Sequence, residues 1–295
     1  MLDYRYETFL VLYKTGSYTK AALELHITQP AVTQHIQFLE NYYKCKLFKY
    51  QNKSLQPTLQ ADELFYYASS MRADSEKIRI NLGEITDKSL PLVFGATLTI
   101  GEYLMPNVIS KLILENESLD ITMQVENTKT LLERLIAGQV DFVLLEGFFN
   151  AEDYAGKLLC EAEFIPVCSA NSPFASGTYA LDELLCQRLI TREKGSGTRE
   201  VLEQMLNENN LSVNSFCNIC EIGNIGAIKN LVRQNLGIAF LYSAACKQEL
   251  SCKSLVQIDL GDIKTKRGFN FVHLKNSLHS TEYEQWFMKI QECIK

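Results

Sequence analysis

The apolar pattern of this chain changes period near Pro91. Before that proline, apolar residues recur at helical spacing and, over one long stretch, every seven residues. After it, short alternating or continuous apolar runs are separated by helical stretches. A helical period and a two-residue period cannot share one element. Helices must therefore come first, followed by strand-helix units around a sheet. With 295 residues, 46% of them hydrophobic, there is material for two or three folding units.

In the first sixty residues Phe9, Leu12 and Tyr13 form a helical stripe, and Gly16 stops it as a C-terminal glycine does. A second helix opens at Ser17 or Tyr18 and turns Ala21, Ala22 and Leu25 inward; the alanines let another helix cross closely. His26 and Ile27 make a short turn. Thr28 caps a third helix running to about Tyr42, with Pro30 in its first turn, where backbone donors are unpaired anyway. Val32, Ile36 and Leu39 face inward on it, leaving Pro30, Thr33, Gln34 and Gln37 outward. Such short, uncharged polar groups suit the base edges of a major groove, although an ordinary surface helix has the same spacing. Charge is uneven as well: residues 1–60 carry +3 within a total of -6, leaving -9 for the remainder. Four lysines and no acid fall between Asn41 and Gln60, as phosphate neutralisation requires.

The run TGSYTKAALELHITQPAVTQHIQFLE at residues 15–40, with Lys46, Leu47 and Phe48 beyond it, resembles the DNA-binding domain of LysR-type transcriptional regulators. The matching positions are Phe9, Gly16-Ser17, Ala21-Ala22, Leu25, Thr28-Gln29-Pro30-Ala31-Val32, Ile36, Leu39-Glu40 and Leu47-Phe48. The resemblance implies a winged helix-turn-helix over residues 1–58, with double-stranded DNA as its partner. Thr28, Gln29, Pro30, Thr33, Gln34 and Gln37 then face the groove, and a wing hairpin at about Tyr50 to Pro57 places Lys53 on the backbone. The chain departs from the family pattern at Thr33 (usually Ser), Tyr42-Tyr43 (Leu-Gly), Tyr50 (Arg) and Asp62 (Gly).

From Gln60 to about Ile85 there is no proline, and Leu64, Met71, Ile78 and Ile85 are spaced by sevens, with Ala68, Ser75 and Leu82 four residues after the first three. This a/d stripe reads as a long linker and dimerisation helix over residues 59–87, pairing across a two-fold axis. The resemblance implies the same pairing and, through contacts among sensor domains, a homodimer or homotetramer. Thr86 to Pro91 supply a hinge.

Residues 88–295 read as an α/β domain. Strands are expected at Leu92–Ala96, Asp120–Glu126 and Asp141–Glu146, with helices at Glu102–Glu115 and Thr128–Ala137. Further strands follow near Glu163–Cys168, Arg188–Thr191, Phe216–Glu221 and Gly237–Leu241; Phe269–Leu274 and a helix Ser280–Ile294 return to the first lobe. The layout, with a second lobe at about 162–266, resembles the two-lobed, periplasmic-binding-protein-like effector domain of the same family. Ligands of open α/β sheets bind beyond the carboxyl ends of strands. Thr97 and Thr99, then Thr128, then Arg192, Ser196, Thr198 and Arg199 occupy such places. The glycines, hydroxyls and helix start among them favour a small oxyanion or carboxylate effector. Glu146 closes the third strand, where it either selects a ligand with an amine or hydroxyl or pairs with Arg192 or Arg199.

No apolar run of membrane-spanning length is present, and the first ten residues lack the pattern of a secretory leader, so a cytoplasmic protein without membrane partner is expected. The nine cysteines, an odd number, fit reduced thiols. No histidine has metal-ligand spacing, Gly195-Ser196-Gly197 is not a nucleophile elbow, and no phosphate loop appears. No cofactor, metal or catalytic residue is therefore expected. Cys217 and Cys220, three apart in an expected strand, point to opposite faces and read as structural. The expected function is ligand-responsive transcription regulation; the alternative is a small-molecule binding protein or enzyme whose N-terminal helices form an interaction module.

Overall fold

The computed structural model describes residues 3–51, 54–83, 92–147, 149–150 and 154–294; Lys53, Ile85 and the expected hinge at residues 86–91 lie outside them. The chain divides into two compact units. One holds the described residues up to 83 together with Leu135–Gln139 and Leu274–Thr281, and the other holds the rest.

The first unit is built from α1 (Tyr4–Thr15), α2 (Tyr18–Glu24), α3 (Gln29–Tyr43), a hairpin of β1 (Phe48–Gln51) and β2 (Ser54–Pro57), and the long α4 (Leu59–Gly83). Side-chain oxygens set the helix starts: Asp3 accepts from the Arg5 N–H, Ser17 from Lys20, Thr28 from Ala31 and Thr58 from Ala61. Gly16 ends α1 in the left-handed region, φ 59°, and its N–H reaches Leu12 O. Phe9, Leu12, Ala21, Val32, Ile36 and Leu39 form the core. The first turns of α4 complete that core: Ala61 and Ala68 are buried in it, and Leu64 and Phe65 pack against it. The Tyr13 ring stacks on Phe65 at 4.2 Å, and its hydroxyl donates to Asp62 at 2.7 Å, which gives this acid a structural role where the resembled family usually has glycine. Leu64, expected on a dimer seam, thus packs against its own winged domain, because the stripe still faces α1 there. Farther along, Tyr67, Met71, Ile78 and Leu82 are exposed.

The second unit runs β3 (Leu92–Ala96), α5 (Leu98–Tyr103), α6 (Met105–Glu115), β4 (Ile121–Val125), α7 (Thr128–Ile136), β5 (Phe142–Glu146), β6 (Tyr154–Ser169), β7 (Arg188–Thr191), α8 (Gly197–Glu208), β8 (Asn218–Glu221), α9 (Ile225–Arg233), β9 (Ala239–Tyr242), α10 (Ser243–Ser251), β10 (Leu255–Gln257), β11 (Thr265–Leu274) and α11 (Ser280–Ile294). The main sheet has the order β10-β6-β11-β5-β3-β4, with β9 also on β6. Strand β3 lies parallel to β4 and β5, which brings Ala96 level with Val125 and Leu144. The β7-β8 pair is tied to the β9 side by a bridge from Leu189 to Ile238. Two lobes result, joined through the neighbouring long strands β6 and β11, and one core runs from Phe94, Phe142 and Phe271 to Val201, Leu202 and Phe240.

Two elements differ from the sequence expectation. The single helix expected from Glu102 is two helices, because Pro106 has no N–H to continue a ladder from α5; the chain breaks at Leu104 and restarts with the proline in the first turn of α6. Strand β6 begins at Tyr154, well before Glu163, since its exposed first half is held by its place beside β11 and not by an apolar pattern.

Candidate functional site

The first candidate surface is one face of α3. Burial of Val32, Ile36 and Leu39 leaves Gln29, Pro30, Gln34 and Gln37 exposed, with Thr28 exposed at the cap and Thr33 half-buried. The Thr33 hydroxyl donates back to Gln29 O at 3.1 Å. This face is polar and uncharged, and exposed Lys44, Lys46 and Lys49 follow at the end of α3 and on β1. Glu40 holds that junction, accepting from Lys46 Nζ at 2.6 Å and from the Leu47 N–H at 3.0 Å. A neutral face beside cationic groups fits the division of labour by which base contacts specify and phosphate contacts position.

The second candidate site lies in the second unit. Thr97, Thr99, Thr128, Glu146, Arg192, Ser196, Thr198 and Arg199, the eight residues expected at a ligand site, are all buried, at the carboxyl ends of β3, β5 and β7 or at the starts of α5, α7 and α8. Five of them keep an unused polar atom. The hydroxyls of Thr97, Thr99 and Thr128, Oε2 of Glu146 and Nη1 of Arg192 have no hydrogen-bond partner among the described residues. Leaving a buried polar atom unpaired costs about 1–3 kcal/mol, so a cluster of them points to a group that enters from solution.

The other three are engaged. Ser196 caps α8 by accepting from the Arg199 N–H at 3.2 Å, and Thr198 donates to Glu146 Oε1 at 2.7 Å. Arg199 reaches Glu203 at 2.7 Å and Arg192 O at 3.3 Å, bracing the β7-α8 loop. Arg192 is itself forked onto Glu193, at 2.7 and 2.8 Å. The arginine pairing expected as one option for Glu146 is thus taken up by other acids. Burial pushes the Glu146 carboxyl above the usual range, opposed by Thr198, Thr99 and the charge of Arg192; Thr99 adjoins that carboxylate without forming a well-made hydrogen bond. Contact between β5 and α8 is close: a Cβ on Gly197 would lie 2.3 Å from Glu146 O.

Tyr242 belongs to the same neighbourhood and was not among the expected residues. Its ring is buried, its hydroxyl has no partner among the described residues, and burial together with the nearby Glu146 raises its pKa. The signal was available, since Tyr242 ends β9 just before α10, as Glu146 and Thr191 end their own strands. Cys217 lies ahead of β8 and Cys220 within it, and all nine cysteines are free. Among the described residues no group of three His, Cys, Asp or Glu side chains forms a metal cradle, and no helix is long and apolar enough to cross a membrane.

Residues 5–62 match the family model "Bacterial regulatory helix-turn-helix protein, lysR family", and residues 87–292 match "LysR substrate binding domain". Among curated relatives, a probable RuBisCO transcriptional regulator of Cyanidium caldarium is 27% identical over 282 residues, covering 94% of this chain and 86% of the relative. The HTH-type transcriptional regulator CysL of Bacillus subtilis is 28% identical over 276 residues, covering 90% and 89%. Among solved structures, a cysteine mutant of OxyR from Corynebacterium glutamicum superposes with a TM-score of 0.62 at 20% identity, covering 98% of this chain and 90% of that one. The CcmR regulatory domain of Synechocystis in complex with 2-PG gives 0.62 at 19% identity, covering 70% and 97%. These two likenesses show a shared fold. With both family models matched in order and together spanning most of its length, the chain belongs to the LysR-type transcriptional regulators, DNA-binding proteins with an effector-binding domain.

Proposed function

We propose that this regulator senses a small metabolite bearing an acidic group, held at the carboxyl ends of β3, β4, β5 and β7. The observation that carries this reading is the set of five buried polar groups without protein partners, on Thr97, Thr99, Thr128, Glu146 and Arg192. Three hydroxyls and one guanidinium nitrogen are donors in search of acceptors. CcmR, solved with 2-PG on the same fold, supports a small-metabolite ligand. Ser196, Thr198 and Arg199 shape the site and hold its loop. In the intact protein, a thermal-shift screen with carboxylates, phosphate and sulfate should give at least one stabilising compound. Thr97→Val with Thr128→Val should weaken that compound about tenfold or more, the size of one or two lost hydrogen bonds. Full affinity in the double variant would move the site elsewhere.

On DNA, Gln29, Thr33 and Gln34 read base edges, Thr28, Pro30 and Gln37 flank them, and Lys53 contacts the backbone. The domains divide at residues 1–58, 59–87 and 88–295, and the regulator works in the cytoplasm as a homodimer or homotetramer, without cofactor or catalytic role. Exposure of Met71 and Ile78 on α4 supports the pairing seam. Ligand alters the relative placement of sensor domains, to the extent of its differential affinity for two arrangements.

A further inference from the structure

Glu146 ends β5 with its side chain 1% exposed, and only one of its carboxylate oxygens is used. Oε1 accepts from Thr198; Oε2 has no partner among the described residues. The charges around it are already matched elsewhere. Arg192 is forked onto Glu193, and Arg199 is paired with Glu203. With these pairs made, the charge of nearby Arg192 and the Thr198 and Thr99 hydroxyls oppose the burial of Glu146. A ligand that is only an anion would satisfy Arg192 Nη1 and the threonine hydroxyls, but it would bring a second negative charge to a buried carboxylate. A ligand that also carries a cationic nitrogen would give Oε2 a charge-assisted donor and would neutralise the site.

We infer that the effector is a zwitterion of the α-amino-acid class, its acidic group held by Arg192 and the threonine hydroxyls and its ammonium group by Glu146. The inference rests on the ligand-site reading above, and it adds the chemistry that selects among acidic ligands. An amine donates three hydrogen bonds and a hydroxyl only one, so Glu146 Oε2 and the Tyr242 hydroxyl, buried beside the same carboxylate, can both accept from one ammonium group.

The test is calorimetry on the full-length protein with the common L-α-amino acids, each compared with its 2-hydroxy and des-amino acid, and with sulfate and phosphate. At least one amino acid should bind about tenfold or more tightly than both of its counterparts, the worth of one charge-assisted hydrogen bond. In Glu146→Gln the three should converge to within about threefold, while Glu146→Asp, which keeps the charge, should retain the amine preference. Thr97→Val should weaken amino acid and counterparts alike. Wild-type protein that takes hydroxy acids or simple oxyanions as tightly as any amino acid would overturn the inference and leave the ligand site standing. Amine preference retained in Glu146→Gln would also overturn it. Should no compound of any series bind wild type, the ligand-site reading itself fails, and this inference with it.

Discussion

A carboxylate as deeply buried as that of Glu146 is either neutral or matched by charge. Ligand-free, its proton is held above the ordinary value of 4.5, chiefly by burial. A folded-state pKa above the unfolded one means that stability is full at low pH and is lost as pH rises through the folded value, because the folded state then has to ionise a group inside its core. Glu146→Gln removes that loss. In urea titrations without ligand, its stability relative to wild type should therefore grow as pH rises above 4.5, and a pH-independent difference would refute the argument. Gly197 carries a different residue-scale constraint. A methyl there would press on the Glu146 backbone, so Gly197→Ala should cost about 1–3 kcal/mol in urea and weaken any ligand of the site. The positions of the eight expected residues at strand ends and helix starts were legible because such ends can be read from pattern alone. Which of them keep free atoms was not legible, since that depends on the packing of β5 against α8. Tyr242 was lost by a single position, the strand expectation stopping at Leu241.

Elements with their own start and stop signals were the most legible. Helices α1 to α3 end or begin where Gly16, Ser17 and Thr28 place them, because caps act locally and need no tertiary context. The α5-α6 break was hidden by a continuous apolar stripe that masked the effect of Pro106, and the first half of β6 by its exposure. For α3, the exposed uncharged face makes a specific demand on binding data. Gln34→Ala should lose about 1–3 kcal/mol on operator DNA and relax preference at one base position, whereas Lys53→Ala should weaken all sequences alike and lower the salt slope by about 1. Competition titrations at several salt concentrations separate the two effects, and equal losses on specific and random DNA would reject the assignment of α3 as the reading element.

At the scale of the molecule, the heptad pattern of α4 divides into a buried and an exposed part that the sequence alone ran together. Its first turns are core of the winged domain, through Ala61 and Ala68, and only from Tyr67 onward is an apolar stripe left exposed. Aspartate at both Met71 and Ile78 should leave the winged domain folded, since neither belongs to its core, while abolishing association and operator binding. Analytical ultracentrifugation showing the wild-type oligomer in that variant would put the seam on another surface.

The order of strands also sets a timetable for synthesis. Strand β5, buried along its whole length, has β11 as its neighbour on one side, and β11 begins at Thr265. As the chain emerges from the ribosome, residues 3–57 hold every element of the winged domain apart from α4, and α4 follows directly. The first lobe of the sensor must instead wait, through the making of all of the second, with an apolar strand edge open to solvent. Such an edge is a template for pairing with another chain. The winged domain can therefore fold well before the sensor can hold a ligand, and messages cut short before Thr265 should yield a product prone to aggregate and not a sensor that is merely deaf.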